Sequence, residues 1–436
     1  MRSSLLLFVC LIIPACDSDV GGALDAGQRA DVDASASEAD AMSSDVLLPD
    51  PCAETIAQCP IATVSEGAGL LPVDRCAFPM QARDTWGTNH TLIESLSEQL
   101  ATASLSDVLT DLNRVGIASS TVAGNPPGLQ QAFRWQAGDE NVEYWIPQGI
   151  ATSANAVDGG RVDNKHVAMV SWYYKLESDE GSQQEKGVRI AIADTTDPDN
   201  VRYRFVLLAE PIELDGQASF KAVNVHAGGL AWVGDYLYVV HTGVGLRIFD
   251  LTRMLRVSTG ADTIGFDAES TNYYAHNYAY VLPQVETIAH ASECAPRYSF
   301  LSVDRTTEPM SLLSGEYDAT SVGARLHRWP LHADTGRPAL VEGMRLYPDE
   351  AFISGQSHLQ GALSVNGTYY LSSSKPPQGA GVLYKTAPNT PTVNRTWNDS
   401  PEDLAYDPQR NSIWSLSEDA GQRFVFRVNR DDLQTR

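Results

Sequence analysis

Residues 229–249 read Gly229-Leu230-Ala231-Trp232-Val233-Gly234-Asp235-Tyr236-Leu237-Tyr238-Val239-Val240-His241-Thr242-Gly243-Val244-Gly245-Leu246-Arg247-Ile248-Phe249. Two apolar runs and one alternating run are separated by Gly234-Asp235 and by the glycine-containing loop 242–245. Connections this short allow only antiparallel neighbours, so the stretch predicts a three-stranded meander. The same succession recurs from Gly361-Ala362-Leu363-Ser364 through Tyr369-Tyr370-Leu371 to Val382-Leu383-Tyr384. It recurs from Phe300-Leu301-Ser302-Val303 to Arg325-Leu326-His327-Arg328-Trp329, and from Leu404-Ala405-Tyr406 to Phe424-Val425-Phe426. A more divergent copy starts at Gly149-Ile150-Ala151 and continues through 166–174 and 188–193.

A lone meander cannot bury both of its faces, and stacking meanders radially covers them, whereas a two-sheet sandwich would not explain a serial repeat. The expectation is an all-β protein, a β-propeller of five blades over residues 129–436. The anchors Gly149, Gly229, Leu301, Ala362 and Leu404 lie 80, 72, 61 and 42 residues apart, and the long early gaps leave six or seven blades open. Fourth strands are expected at 203–209 and 278–282. The last copy ends after its third strand, and its missing neighbour is expected from 132–135 or 142–146, which would close the ring and remove an exposed edge.

Before the repeat, residues 51–128 form a brace. Leu92, Ile93, Leu96 and Leu100, then Val108, Leu109 and Leu112 after Ser106-Asp107, predict two short amphipathic helices within 84–116. Asn125-Pro126-Pro127-Gly128 ends this region. Further upstream, Arg2 and the apolar run 5–13 form a signal peptide over residues 1–15. Ile13-Pro14-Ala15-Cys16 resembles the lipobox of bacterial lipoproteins, which implies a lipid on Cys16 and a cell-envelope location in the outer membrane or at the cell surface; ordinary secretion with cleavage near Ala15 is the alternative. The stretch to Asp50, with nine acidic residues, one arginine and no aromatic residue, is expected to be an extended tether over residues 16–50.

The whole chain has 436 residues, 43% of them hydrophobic, and a net charge of −24. The signal's arginine and the tether's excess of eight acidic charges leave −17 on residues 51–436. So acidic a chain argues against nucleic acid as a partner, and a membrane contact is expected through the lipid anchor only. A monomer is expected. Cys52, Cys59, Cys76 and Cys294 remain for disulfides, with Cys52–Cys59 and Cys76–Cys294 the favoured pairing and a zinc site the alternative.

Phrases along residues 85–430, among them Phe133-Arg134-Trp135, Tyr144-Trp145-Ile146-Pro147-Gln148-Gly149, His226-Ala227-Gly228-Gly229 and Pro401-Glu402-Asp403-Leu404, resemble a family of exported bacterial β-propellers with no assigned activity. The resemblance implies fold and export, not a reaction. Pro401-Glu402 is also similar to the Pro-Glu-Gly step of lactonase and phytase-like esterase propellers, which places a metal-binding glutamate in the central channel; here Asp403 stands in place of the glycine.

In a propeller the loops entering each innermost strand and those joining second to third strands converge on one channel mouth. The first set offers Gln148, His226, Ser299, Gln360 and Glu402, and the second Trp172, His241, Glu316, Ser373 and Glu418. Gln148, Trp172, His226, His241, Gln360 and Glu402 are the candidate ligand-binding residues, for a carbohydrate, peptide or protein. The alternative is a divalent-cation-dependent hydrolase or lyase, with Glu402 and Glu316 on a metal such as Ca²⁺ and His226 or His241 as general base. The chain lacks the GxSxG, HExxH, P-loop and EF-hand patterns. His276 and Tyr273-Tyr274 sit in a long loop that could instead cover the mouth.

Overall fold

The computed structural model describes residues 47–55, 58–60, 63–83, 85–374 and 381–433. The signal segment, Cys16 and the tether up to residue 46 lie outside them.

The Gly234-Asp235 step makes the predicted turn, and Val233 pairs with Tyr236 across it. The same logic builds five antiparallel meanders among the described residues. The first comprises Trp145–Thr152, Val167–Tyr174, Val188–Asp194 and Arg202–Leu214, and the second Leu230–Val233, Tyr236–His241, Gly245–Asp250 and Tyr280–His290. Tyr298–Asp304, Ser311–Glu316, Arg325–Pro330 and Glu350–Ile353 form the third; Leu359–Val365, Thr368–Ser373, Val382–Ala387 and Thr390–Thr396 form the fourth. The fifth takes Pro401–Asp407, Ser412–Ser417 and Phe424–Asn429, and its outer strand is Leu129–Arg134 from the other end of the domain. Of the two expected closing segments it is therefore the earlier that pairs, with Val425 opposite Phe133; residues 145–146 instead open the first meander.

Innermost strands of successive meanders are neighbours, and Pro401–Asp407 returns to Trp145–Thr152. The molecule is a β-propeller. Period-two alternation builds its core, since successive residues of a strand face opposite neighbours. Leu230, Trp232, Leu237 and Val239 pack with Val167, Met169 and Ile190 of the first meander. Ala231, Val233, Tyr238 and Val240 pack with Leu301, Leu312 and Trp329 of the third. Around the axis the innermost backbones touch. A Cβ at Gly229 would lie 2.1 Å from the Leu301 nitrogen, and one at Gly361 2.8 Å from the Asp403 Cα, so the glycines that anchor the repeat are steric necessities.

The N-terminal region is less a separate brace than an edge cover. Leu71–Pro72 adds to the third meander, Met80–Ala82 to the second, Arg114–Val115 to the first and Ile117–Ala118 to the fifth. Asn389 of the fourth meander donates its amide to the Leu70 carbonyl. The segment thus satisfies backbone groups that would otherwise line open edges. Two helices lie within it, Trp86–Ser97 and Leu105–Thr110. The second starts one residue pair earlier than expected, because Ser104 and Asp107 form a reciprocal capping box.

Two expectations are corrected here. The disulfides are Cys52–Cys76 and Cys59–Cys294, so the cysteine nearest in sequence is not the partner and zinc ligation by these thiols is excluded. The end of the expected tether is also attached: the Asp50 carboxylate accepts hydrogen bonds from Arg345 and Tyr347, at 3.1 and 3.0 Å, and the Leu48 carbonyl accepts from the Glu342 amide.

Candidate functional site

Four innermost strands are interrupted at their entrance. Their pairing slips between Pro147 and Ile150, Tyr298 and Phe300, Leu359 and Gly361, and Pro401 and Leu404. The extra residues are Gln148-Gly149, Ser299, Gln360 and Glu402-Asp403. A β-bulge leaves its additional residue unpaired and re-aims its side chain, and here it does so at the same height on four strands. In the second meander the equivalent position is a loop, with Ala227 in the left-handed region at φ 54°.

Glu402 and Asp403 share one bulge but serve different neighbours. The Asp403 side chain is wholly buried, and its Oδ2 accepts the amides of Ile150 and Leu230, each at 3.2 Å. The Leu404 and Leu301 amides also bear on this carboxylate, while Oδ1 has no partner of hydrogen-bonding geometry. One aspartate therefore ties the innermost strands of the first and second meanders to the fifth. Burial raises its pKa and the four amides draw it back, with the net shift upward.

Glu402, 1% exposed, accepts from Gln360 Nε2 at 3.2 Å. Glu418 accepts from Gln148 Nε2 at 2.8 Å, and Arg423 Nε fixes its carbonyl at 2.8 Å. Each acid is thus answered by a neutral amide. Burial pushes the Glu402 pKa well up, and the nearby charges of Glu418, Asp403 and Asp419 push it further. Glu418 is also raised, by burial and then Asp419, against the pull of Gln148. Both carboxyls also raise the pKa of Tyr173 and Tyr317, after burial, which puts the two phenols in the same electrostatic neighbourhood.

Above these acids lies a concavity of about 420 Å³ lined by Gln148, Tyr173, His226, Thr242, Arg297, Tyr298, Ser299, Tyr317, Gln360 and Glu418. Tyr173 and His226 pack at a 40° tilt with centroids 4.4 Å apart, and Tyr317 meets His358 edge to face at 5.9 Å. His226 is open to solvent at the rim, while the surrounding wall and Arg297 lower its pKa. Larger concavities of about 640 and 580 Å³ lie at the third meander and at the disulfides. The smaller one is where residues from all five meanders meet.

Gln148, His226, Ser299 and Gln360 line this mouth, with Glu402 directly beneath Gln360. Four of the five second-strand candidates do not line it, Ser373 among them, which is fully buried and donates its hydroxyl to the Ser357 carbonyl at 2.9 Å. Trp172 is fully buried between meanders, edge-on to Trp135 at 5.0 Å and beneath the Arg189 guanidinium, so it has no surface for a ligand. His241 Nδ1 accepts from Arg247 at 3.2 Å, and burial lowers its pKa to about 4. Glu316 is held by Arg325 at 2.6 and 2.7 Å and by the amides of Arg297 and Arg325. Its oxygens are therefore consumed, and Glu402 is coupled to Glu418 instead. Among the described residues no three His, Cys, Asp or Glu side chains are grouped to hold a metal ion. Tyr273 packs on Phe220, and His276 contacts Asp262 at 3.0 Å, so this hairpin covers the first meander's edge.

Tyr173, Thr242 and Tyr317 line the mouth in place of Trp172, His241 and Glu316, each one position further along the chain. For Trp172 and Tyr173, within one strand, alternation explains the slip, whereas Thr242 and Tyr317 follow directly after strands that end at His241 and Glu316. Arg297 and Asp403 carry no motif that would have singled them out for these places.

No known family's sequence profile matches the chain, and no curated protein sequence matches it. Solved structures similar to it include a GH43_1 enzyme from Xanthomonas citri, at 9% identity over 77% of this chain and 92% of that one, with a TM-score of 0.28. The Cps50 β-propeller domain from Myceliophteria thermophila is 10% identical over 72% and 99%, at 0.27. A gluconolactonase from Xanthomonas campestris is 11% identical over 72% and 87%, also at 0.27. The propeller itself rests on the chain's own strand pairing.

Proposed function

We propose that this propeller binds a carbohydrate at its channel mouth. The observation that carries the reading is the pairing of two acids with two glutamine amides between two tyrosines: Glu402 with Gln360, Glu418 with Gln148, and the rings of Tyr173 and Tyr317 on the wall. Sugar hydroxyls donate and accept at once, and a set of amides and carboxyls offers both roles without a fixed charge to neutralise. Aromatic faces supply the apolar contact that a sugar's C–H surface needs, and a concavity of about 420 Å³ accommodates one or two rings. A peptide would more naturally add to an open sheet edge, and the N-terminal segment covers those edges. With the lipid on Cys16 and the acidic tether of the sequence reading, the mouth would be displayed away from an envelope surface.

Calorimetric titration of the full chain with a panel of neutral and acidic mono- to tetrasaccharides tests this. At least one saccharide should bind, and Gln148→Ala and Gln360→Ala should each weaken it about tenfold or more, the range set by losing a buried hydrogen bond. Failure of every saccharide, or affinity untouched by both substitutions, overturns the reading.

A further inference from the structure

The mouth does not end at its own wall. Arg297 and Tyr317 line both the mouth and the adjoining concavity of about 640 Å³ on the third meander, so the two form one path. The charges along that path are unevenly satisfied. Glu316 is taken by Arg325 and two backbone amides. Asp318 Oδ1 accepts the Thr320 amide at 2.8 Å, the Ser321 amide at 2.9 Å and the Thr320 hydroxyl at 2.9 Å, which pins its own loop. Arg325 is committed to Glu316 and the Cys294 carbonyl. Arg297 differs: its backbone amide is anchored on Glu316, but its guanidinium makes no ion pair or hydrogen bond among the described residues.

We infer that Arg297 is the carboxylate-recognition residue of an acidic oligosaccharide, a uronate chain running from the mouth into the third-meander groove. The inference rests on the carbohydrate reading of the mouth. Its basis is chemical fit. A planar guanidinium with five donors matches a carboxylate in two-point geometry, whereas a sugar hydroxyl engages it singly. Every acid in the groove has an internal partner, so none of them competes with the ligand for Arg297. Glu402 and Glu418 accept from the Gln360 and Gln148 amides, so a sugar's uncharged ring can face them while its carboxylate faces Arg297. The two concavities together, about 640 and 420 Å³, suit a chain of several rings better than a single sugar.

The test uses the full chain and paired probes: oligogalacturonate, oligoglucuronate and alginate oligomers, each beside its carboxyl-reduced neutral counterpart of the same length. At least one uronate should bind about tenfold or more tighter than its reduced partner, with a preference that falls as salt rises. Arg297→Gln should erase that preference, bringing the acidic oligomer's affinity down to that of its neutral counterpart measured on the same variant. Equal binding of acidic and neutral partners, or a preference that survives Arg297→Gln, overturns the inference and leaves the mouth reading standing. If neither acidic nor neutral saccharides bind, both readings fall together.

Discussion

The mouth and the third meander each bury glutamates, and they answer them differently. In the third meander Glu316 meets the Arg325 guanidinium at 2.6 and 2.7 Å, and its remaining capacity is filled by amides. At the mouth Glu402 and Glu418 meet Gln360 and Gln148. An acid whose oxygens are all taken by a guanidinium and backbone amides is fixed in place and contributes to the fold. An acid met by a neutral amide in a desolvated concavity is left able to hold a proton and to exchange partners with a ligand. The same residue type is structural in one place and available in the other, and the partner decides which.

Asp403 is the sharpest challenge to that distinction, because it sits beside Glu402 and also lacks a cation. Its partners are backbone amides, three of them from other meanders, which cannot move away, so it belongs on the structural side. Asp403→Ala should cost about 4 kcal/mol in urea unfolding, since it strands amides at the axis without an acceptor. A cost below about 1 kcal/mol would remove the axial tie from the account. Arg325→Ala should follow at about 3 kcal/mol, the scale of a largely buried pair left half made. Glu402→Gln should be the mildest, within about 1 kcal/mol at neutral pH, because it replaces an acid that burial already disfavours in its charged form.

The two regions should also respond to pH with opposite signs. The folded Glu402 carboxyl has a pKa above its unfolded value of 4.5, so between the two the folded chain binds the extra proton. Its contribution is full below the unfolded value and is lost as pH rises through the folded one. His327, in the third meander, is fully buried among Phe78, Tyr298 and Trp329 with neither ring nitrogen bonded. Burial, then Arg325 and His290, hold its pKa well below 6.5. The unfolded chain takes the proton first as pH falls below about 6.5, so stability drops on that side. Unfolding free energies across pH 5 to 8 should show Glu402→Gln flattening the loss on the alkaline side. His327→Leu should flatten only the loss on the acid side. Identical profiles for both variants would contradict the assignment.

Much of this was legible in the chain. The meander at 229–249 and its copies follow from turn residues and period-two patterning, which act locally. Gln148, His226, Gln360 and Glu402 could be placed because each precedes an innermost strand by a fixed step in the repeat. The second-strand residues slipped by one, from Trp172, His241 and Glu316 to Tyr173, Thr242 and Tyr317: alternation inverts the side chain at 172–173, and at the other two the mouth is reached just past the strand's end. The disulfides escaped for a different reason. Cys59 and Cys294 are 235 residues apart, and only the path of the N-terminal segment around the propeller brings them together.

The most direct measurement of the central claim is a side-chain carboxyl titration by carbon NMR on the full chain labelled at glutamate, with Glu402→Gln to assign the signal. The account predicts that Glu402 remains protonated well above the ordinary carboxylate range, and that Gln360→Ala shifts its midpoint. A Glu402 signal titrating near 4.5, unmoved by Gln360→Ala, would contradict it.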